Sequence, residues 1–176
     1  DKVILDSAVI NYQNAEKVYF GIKDNIGIGR MHVKMATAKF RARDYLGSEK
    51  SAVMALTYIR LANNKLLEYE ANTSLGLACV ETKDYEKADE YFQKAYKIAR
   101  EENLENLGQY QSKAISLNNL GFLNLKSGKY KEALNYFNQA DQDSNLNIEF
   151  PELYATILDN KAKAKLVVKN TTTGHN

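Results

Sequence analysis

A pattern of four residues recurs along the chain at nearly constant intervals, and it limits the possible folds more than any other feature. An aromatic residue or Leu is followed by a small residue, then usually by a large aromatic ring, and then by Ala. The pattern stands at residues 130–140 and recurs 45, 85 and 125 residues earlier, with Ala52 in place of the ring in one copy. Its members are Tyr130, Ala133, Phe137 and Ala140; Tyr85, Ala88, Phe92 and Ala95; Tyr45, Ser48, Ala52 and Ala55; and Leu5, Ala8, Tyr12 and Ala15.

A second, shorter signal precedes three of these copies by a constant distance. Gly121 lies nine residues before Tyr130, and Gly76 and Ala36 stand at the corresponding places before the two preceding copies. Small residues of this kind let two helices cross closely, while the large residues fill the space between one helix pair and the next. Each pair buries only part of its apolar face, so several must stack. The repeat therefore predicts an all-α fold of stacked helical hairpins.

The spacing of apolar residues predicts about eight helices. Asp84 and the pair Gly47-Ser48 are predicted N-caps, Gly128 is predicted to end a helix, and Pro151 is expected in a first helical turn. Residues 141–150 are the most loop-like internal stretch, and weak helix formers predict a flexible tail at 171–176. The predicted helices span residues 3–20, 27–43, 48–63, 65–82, 84–102, 106–127, 129–141 and 151–169.

Composition argues against several classes of function. The 24 Lys and Arg residues nearly balance the 22 Asp and Glu residues, and a net charge of +2 gives no argument for nucleic acid or an anionic membrane. Cys79 is the only cysteine, which excludes an internal disulfide and zinc sites built from several cysteines. No apolar run approaches the roughly 18 residues of a membrane span. The chain begins at Asp1 rather than Met, and we expect it to be a piece of a longer protein.

These residues resemble the tetratricopeptide repeat, which pairs Leu-Gly in a first helix with Ala, an aromatic residue and Ala in a second helix. The resemblance is carried by SLNNLGFLNLKSGKYKEALNYFNQA, TSLGLACVETKDYEKADEYFQKA and MATAKFRARDYLGSEKSAVMA. It implies a right-handed superhelical stack of antiparallel helix pairs over residues 1–170. Residues 3–20 would be the second helix of a partial repeat and 151–169 the first helix of another. The full repeats implied are 27–63, 65–102 and 106–141.

The chain departs from the usual repeat in length and at single positions. Its steps of 40 to 45 residues exceed the family's usual 34. Stretched repeats of this kind are similar to those in the sensory and regulatory regions of bacterial signalling proteins. Cys79 and Asn124 stand where the family usually has a ring, and the closing proline of the motif is missing. Lys161 occupies a slot that usually holds Leu, which leaves the register of the last helix open.

No group of residues predicts catalysis, a metal site or a cofactor. His32 lies one turn before the crossing at Ala36 and is interpreted as a packed residue, while His175 falls in the tail. Cys79 has no charged partner at helical spacing and is interpreted as a core residue. The glycines of residues 26–30 suggest a phosphate loop only weakly, because no strand precedes them, and a helix start is favoured. We therefore predict that the chain is not an enzyme.

The resemblance implies that the first helix of each pair lines a concave groove that binds peptides. Asn side chains there would pair with a peptide backbone, and Lys and Arg would favour an acidic neighbour. Val33 and Thr73 stand where a clamp for a C-terminal carboxylate needs Lys or Asn, so that mode of recognition is not expected. The predicted groove residues are Lys34, Thr37, Arg41, Ser74, Leu77, Asn118, Asn119, Phe122, Lys126, Asn160 and Lys163.

Two functions are compatible with these features. We expect a scaffold that binds a protein or peptide, as the sensor or interaction region of a larger bacterial regulatory protein. The alternative is self-assembly, for example as a homodimer, because the helix at 3–20 has no hairpin partner and Val9, Tyr12 and Val18 would be free to pack on a second copy. Regulation by a small ligand between helices is neither supported nor excluded. No nucleic-acid partner is expected, and the expected localisation is cytoplasmic, with the periplasm as the alternative.

Overall fold

The computed structural model describes residues 2–101, 111–142 and 146–173, and within these ranges it contains α-helices and no strand. The prediction of an all-α fold of paired helices is confirmed. The described helices number nine instead of about eight, the additional one being the single-turn helix α8. They are α1 Lys2–Gly21, α2 Asn25–Arg41, α3 Tyr45–Ala62, α4 Lys65–Glu81, α5 Tyr85–Glu101, α6 Ser112–Lys126, α7 Tyr130–Ala140, α8 Leu146–Glu149 and α9 Pro151–Thr173.

The chain forms two compact units, Asp1–Ala95 and Tyr96–Asn176. In the first unit, α1 packs on α2, α2 on α3 and α3 on α4, and α2 also contacts α4. In the second unit, α6 packs on α7, while α9 contacts α6, α7 and α8. Each unit therefore consists of successive nested helices. The single array over residues 1–170 and its right-handed superhelical course stay predictions.

Four turns of the first unit share one local structure, which explains the regular helix lengths. Asp24, Asp44, Asn64 and Asp84 follow each other at steps of 20 residues, and each comes directly before a helix. Their side-chain oxygens accept the backbone N–H three residues later, which satisfies one of the free donors at a helix start. The residue before each cap has a positive φ of 47° to 63°, which reverses the chain. These residues are Lys23, Arg43, Asn63 and Lys83.

The predicted N-cap at Gly47-Ser48 was wrong. Asp44 caps α3 instead, because its Oδ1 accepts the Gly47 N–H at 2.9 Å, and the helix begins three residues earlier than predicted. Ser48 lies inside α3, fully buried, where its hydroxyl donates to the Ala36 carbonyl of α2 at 2.9 Å. The serine therefore joins two helices.

Other predicted features can be compared directly with the structure. Asp84 precedes α5, Gly128 adopts a φ of 81° after α6, and Pro151 is the first residue of α9, so these three predictions are confirmed. Helix α9 extends to Thr173 instead of 169, and α8 lies within the stretch predicted to be a loop. Residues 106–110, 143–145 and 174–176, on which parts of the predicted helix, loop and tail fall, lie outside the described residues.

Two helices approach each other closely at each of the two glycines of the repeat. A Cβ added at Gly76 would lie 2.4 Å from two ring carbons of Phe92, and one added at Gly121 would lie 2.4 Å from Cε1 of Phe137. Both rings are at most 1 % exposed. The glycine is therefore required for the ring to reach the facing helix at these positions.

In the first hairpin, formed by α2 and α3, different residues occupy the position of close helix contact. Ala36 takes the place of the glycine and Ala52 takes the place of the ring, and both are completely buried. They form a cluster with Leu75, against which Leu56 and Tyr91 also pack. Because no ring stands at Ala52, the facing position accepts the methyl group of Ala36 instead of requiring glycine.

The second unit has its own core, which α8 helps to complete. Phe137, Leu146 and Ile157 come from α7, α8 and α9, and each is at most 1 % exposed. The short helix α8 therefore contributes a core residue from a stretch that had no clear helical pattern.

We expect the Gly76–Phe92 crossing to behave as a matched pair. Gly76→Ala should destabilise the protein by about 1–3 kcal/mol through overpacking, and Phe92→Ala by about 3–5 kcal/mol through loss of the buried ring. The double variant, which copies the alanine pair of the first hairpin, should be less destabilised than the sum of the two by about 1–3 kcal/mol. Urea denaturation followed by circular dichroism measures these free energies.

Gly21→Ala serves as the control, because an added Cβ there meets nothing within 4 Å. This variant should be neutral or slightly stabilising. Additive effects of Gly76→Ala and Phe92→Ala would show that the two residues do not compete for one space.

Candidate peptide-binding surface

In the first unit, the predicted groove residues lie on two helices that contact each other, α2 and α4. Lys34, Thr37 and Arg41 are exposed on α2. Ser74 and Leu77 are half-buried on α4. We call this set of five residues the α2–α4 face. It combines a cationic, accessible edge with a more enclosed polar and apolar part.

A carboxylate that the sequence analysis missed belongs to the same face. Glu70 lies one turn before Ser74, whose hydroxyl donates to the Glu70 carbonyl at 3.0 Å. Burial raises the pKa of the Glu70 carboxyl, while the nearby charges of Lys34 and Arg30 act in the opposite direction. Extending the groove positions one turn towards the start of α2 and α4 would have found both Arg30 and Glu70.

In the second unit, the predicted residues lie on α6 and α9, which also contact each other. Asn118, Asn119 and Asn160 are only 7 to 8 % exposed. The Asn160 Nδ2 donates to the Asn118 Oδ1 at 3.1 Å, a buried bond between side chains of the two helices. Two of the amides predicted to contact a peptide therefore also hold α6 and α9 together.

The remaining predicted residues of the second unit are more accessible. Phe122 is half-buried, and the ammonium group of Lys126 lies 5.2 Å from the centroid of its ring. This distance is within the range of a cation–π contact. Lys163 is exposed and pairs with Asp159 on its own helix. The second unit thus presents an aromatic ring beside a cation, with its asparagines set deeper.

His32 is a packed residue, as interpreted from the sequence. It is 7 % exposed, and its Nε2 lies 3.0 Å from the Glu16 Oε1 of α1, although the angle of approach is not that of a hydrogen bond. Its ring stacks on Tyr58 of α3, with centroids 5.9 Å apart. Burial lowers the pKa of His32, Glu16 raises it and the charge of Lys39 lowers it further, with a net decrease.

Cys79 has the surroundings of a core residue. Its side chain is 1 % exposed, and burial with the nearby negative charges of Glu49 and Asp84 raises the pKa of its thiol to about 11. A thiol of this kind is protonated at neutral pH and is a poor nucleophile.

The described residues bring together no group of three or more His, Cys, Asp or Glu side chains that could hold a metal ion. Within the same three ranges, none of the helices combines the length and the apolar character needed to cross a membrane.

Comparison with known families identifies the repeat. The family model described as tetratricopeptide repeat matches residues 69–102 and 114–142. These segments contain the Gly76–Phe92 and Gly121–Phe137 crossings. No curated protein matches the chain.

The position of His32 predicts a pH dependence of stability. Since its pKa in the folded chain lies below the ordinary 6.5, the unfolded chain binds the proton more readily. The stabilisation is therefore present above pH 6.5 and is lost as the pH falls below it, by at most about 1.4 kcal/mol per pH unit. Urea denaturation between pH 7.5 and 5 should show this decrease for the natural sequence.

The variant His32→Asn provides the control, because Asn72 occupies the equivalent position 40 residues later. It should reduce the slope of stability against pH in this range. A slope equal to that of the natural sequence, or a stability that rises on acidification, would contradict the assignment.

Proposed function

We propose that the chain, in which residues 69–102 and 114–142 are tetratricopeptide repeats, is a non-catalytic scaffold that binds a peptide segment on the faces of its first helices. Repeats of this family mediate protein–protein interaction. The observation that supports the proposal most strongly is the row of unpaired cations on α2.

These cations lie on one side of α2, at steps that correspond to nearly whole helical turns. Arg30, Lys34 and Arg41 are all exposed. None of them forms an ion pair with a carboxylate in the described part of the chain. Glu70 of α4 is half-buried and lies close enough to Arg30 and Lys34 for their charges to lower the pKa of its carboxyl, against the larger rise that burial causes. An acidic partner segment would supply carboxylates to pair with these three cations.

The second unit would contribute contacts of another kind. Phe122 and Lys126 offer an aromatic surface beside a cation, and Asn119 lies on the same side of α6. Asn118 and Asn160 bond to each other, but each amide keeps hydrogen-bonding capacity beyond the bond that they share. A segment bound here would be recognised by its apolar side chains and by its backbone.

The wider role that we propose is that of an interaction or sensor region in a larger bacterial regulatory protein in the cytoplasm. The support is the length of the repeat steps, 40 and 45 residues, which is similar to that of regulatory proteins with stretched repeats.

Selection from a random peptide library tests the peptide-binding proposal. The selected peptides should be enriched in Asp and Glu, and Lys34→Gln/Arg41→Gln should weaken their binding by about tenfold or more because two charge-assisted contacts are lost. Fluorescence polarisation with labelled peptides measures the dissociation constants.

The matched control is Lys97→Gln/Lys131→Gln, which removes two exposed positive charges from second helices. It should leave the affinity within about twofold of the natural value. Peptides that bind equally well to Lys34→Gln/Arg41→Gln would contradict the α2–α4 face as the binding surface.

A second proposal, self-assembly, is favoured by the surface of α1 and the turn after it. Val18 of α1 is 65 % exposed. Ile4 and Phe20 of the same helix and Ile22 of the following turn are 66 to 68 % exposed. The predicted contact residues Val9 and Tyr12 are half-buried instead. Ile4 and Val18 lie on the same side of α1, and exposed apolar side chains that share one side of a helix are typical of a surface that contacts another chain.

Sedimentation equilibrium tests this proposal directly. The natural sequence should show a concentration-dependent dimer, and Val18→Lys/Phe20→Lys should shift it to monomer because two exposed apolar contacts become charged. A monomer at all concentrations up to about 1 mM, a range that includes weak association, would contradict self-assembly.

A further inference from the structure

A cleft on the side of the second helices has features of a binding site that lies apart from the α2–α4 face. It has a volume of about 250 Å³ and lies between α3 and α5, with α4 beneath it. We call it the α3–α5 cleft. Its lining residues are Val53, Leu56, Thr57, Arg60, Asn72, Tyr91 and Lys94.

The cleft carries positive charge that nothing in it neutralises. Arg60 on α3 and Lys94 on α5 are exposed, and no carboxylate is among the lining residues. Neither cation forms an ion pair with any carboxylate of the described ranges, although Lys94 lies 5.2 Å from the centroid of the Tyr91 ring. Two unpaired cations on opposite walls of a cleft favour an anionic ligand.

The buried amide of Asn72 adds a hydrogen-bond donor to the same cleft. The residue is 3 % exposed, and its Nδ2 donates to the Glu68 carbonyl at 2.7 Å. An amide nitrogen carries two N–H groups, so this bond uses only one of them. The hydroxyl of Thr57 is already bonded to the Val53 carbonyl at 3.2 Å. Asn72 is therefore the polar group best placed to contact a ligand between Arg60 and Lys94.

The preceding repeat shows what the cleft lacks. A cleft on α1 is lined by Gln13, Glu16, Lys17 and Phe20, each 40 residues before a lining residue on α3. His32 likewise stands 40 residues before Asn72, and there the Glu16 Oε1 lies 3.0 Å from the His32 Nε2. In that repeat the chain supplies its own carboxylate. In the α3–α5 cleft, Leu56 takes the place of Glu16, so α3 supplies no carboxylate to Asn72 from this position.

We propose that the α3–α5 cleft binds the carboxylate side chain of an Asp or Glu residue on a partner protein. Arg60 and Lys94 would pair with the carboxylate, the second N–H of Asn72 would donate to it, and Leu56 would contact its methylene groups. A volume of 250 Å³ is below the roughly 300–1,000 Å³ usual for small-molecule sites and suits a single anchoring side chain.

The surface beside the cleft extends this specificity to neighbouring residues. Val53 is 46 % exposed at the edge of the cleft, and Leu46 is 72 % exposed two turns before it on the same side of α3. The partner segment therefore carries apolar side chains next to its acidic residue. Since this surface is on the second helices, the proposal does not depend on peptide binding by the first helices.

A pair of blocked peptides tests the proposal, observed by the backbone amide signals of the ¹⁵N-labelled protein. The probe is acetyl-Ala-Leu-Glu-Leu-Ala-amide, and its neutral control has Gln in place of Glu. The Glu peptide should shift the signals of Arg60, Asn72 and Lys94 in a saturable manner, with an affinity about tenfold or more above that of the Gln peptide.

The variant Arg60→Gln/Lys94→Gln should lower the affinity for the Glu peptide by about tenfold or more, whereas Lys97→Gln/Lys131→Gln should not change it. Equal binding of the two peptides, or no saturable shift at the cleft, would overturn the proposal. Tighter binding of free glutarate than of the Glu peptide would also overturn it, by assigning the cleft to a free small carboxylate. Shifts confined to Lys34, Arg41 and Ser74 of the α2–α4 face, with Arg60 and Lys94 unchanged, would count against the cleft while supporting the function of the first helices.

Discussion

The close approach between a glycine on one helix and a phenylalanine ring on the next sets the geometry of the repeated hairpins. At Gly76 and Gly121 there is no room for even one additional carbon atom, because the ring of Phe92 or Phe137 occupies the space. A glycine within a helix costs about 1 kcal/mol relative to alanine. The buried ring offsets this cost, since a residue of this size contributes several kcal/mol when it is fully packed.

The crossing also determines which residues face outwards. Because Gly76 must face the ring of Phe92, α4 can adopt only one rotation about its own axis. This rotation places Ser74 and Leu77 on the part of α4 that lies beside α2. The turns reinforce this arrangement, because an Asp or Asn cap every 20 residues keeps successive helices of the first unit nearly equal in length. The first unit thereby presents two separate cationic surfaces, one on α2 and one in the cleft between α3 and α5.

Much of the fold was predictable because its determinants are local or periodic. The steps of 40 and 45 residues located the hairpins, and Asp84, Gly128 and Pro151 marked helix ends correctly. The N-cap of α3 was missed because Asp44 and Ser48 are both good capping residues, and the choice between them depends on backbone angles that the sequence does not display.

The candidate surfaces were harder to predict, because they depend on contacts between distant residues. Asparagine is usually exposed, yet Asn118 and Asn160 are buried against each other across 42 residues of sequence. Glu70 resembles any solvated helix residue until its burial beside α2 is known. The α3–α5 cleft requires three helices at once, so no single segment contains its pattern.

The most direct measurement of the central claim is the NMR signal of the Cα protons of Gly76 and Gly121. If each glycine faces an aromatic ring as described, these protons should be shifted strongly upfield by the ring currents of Phe92 and Phe137. They should also show nuclear Overhauser contacts to the ring protons. Cα protons at ordinary helical positions, without contacts to either ring, would contradict the account of how the hairpins are held together.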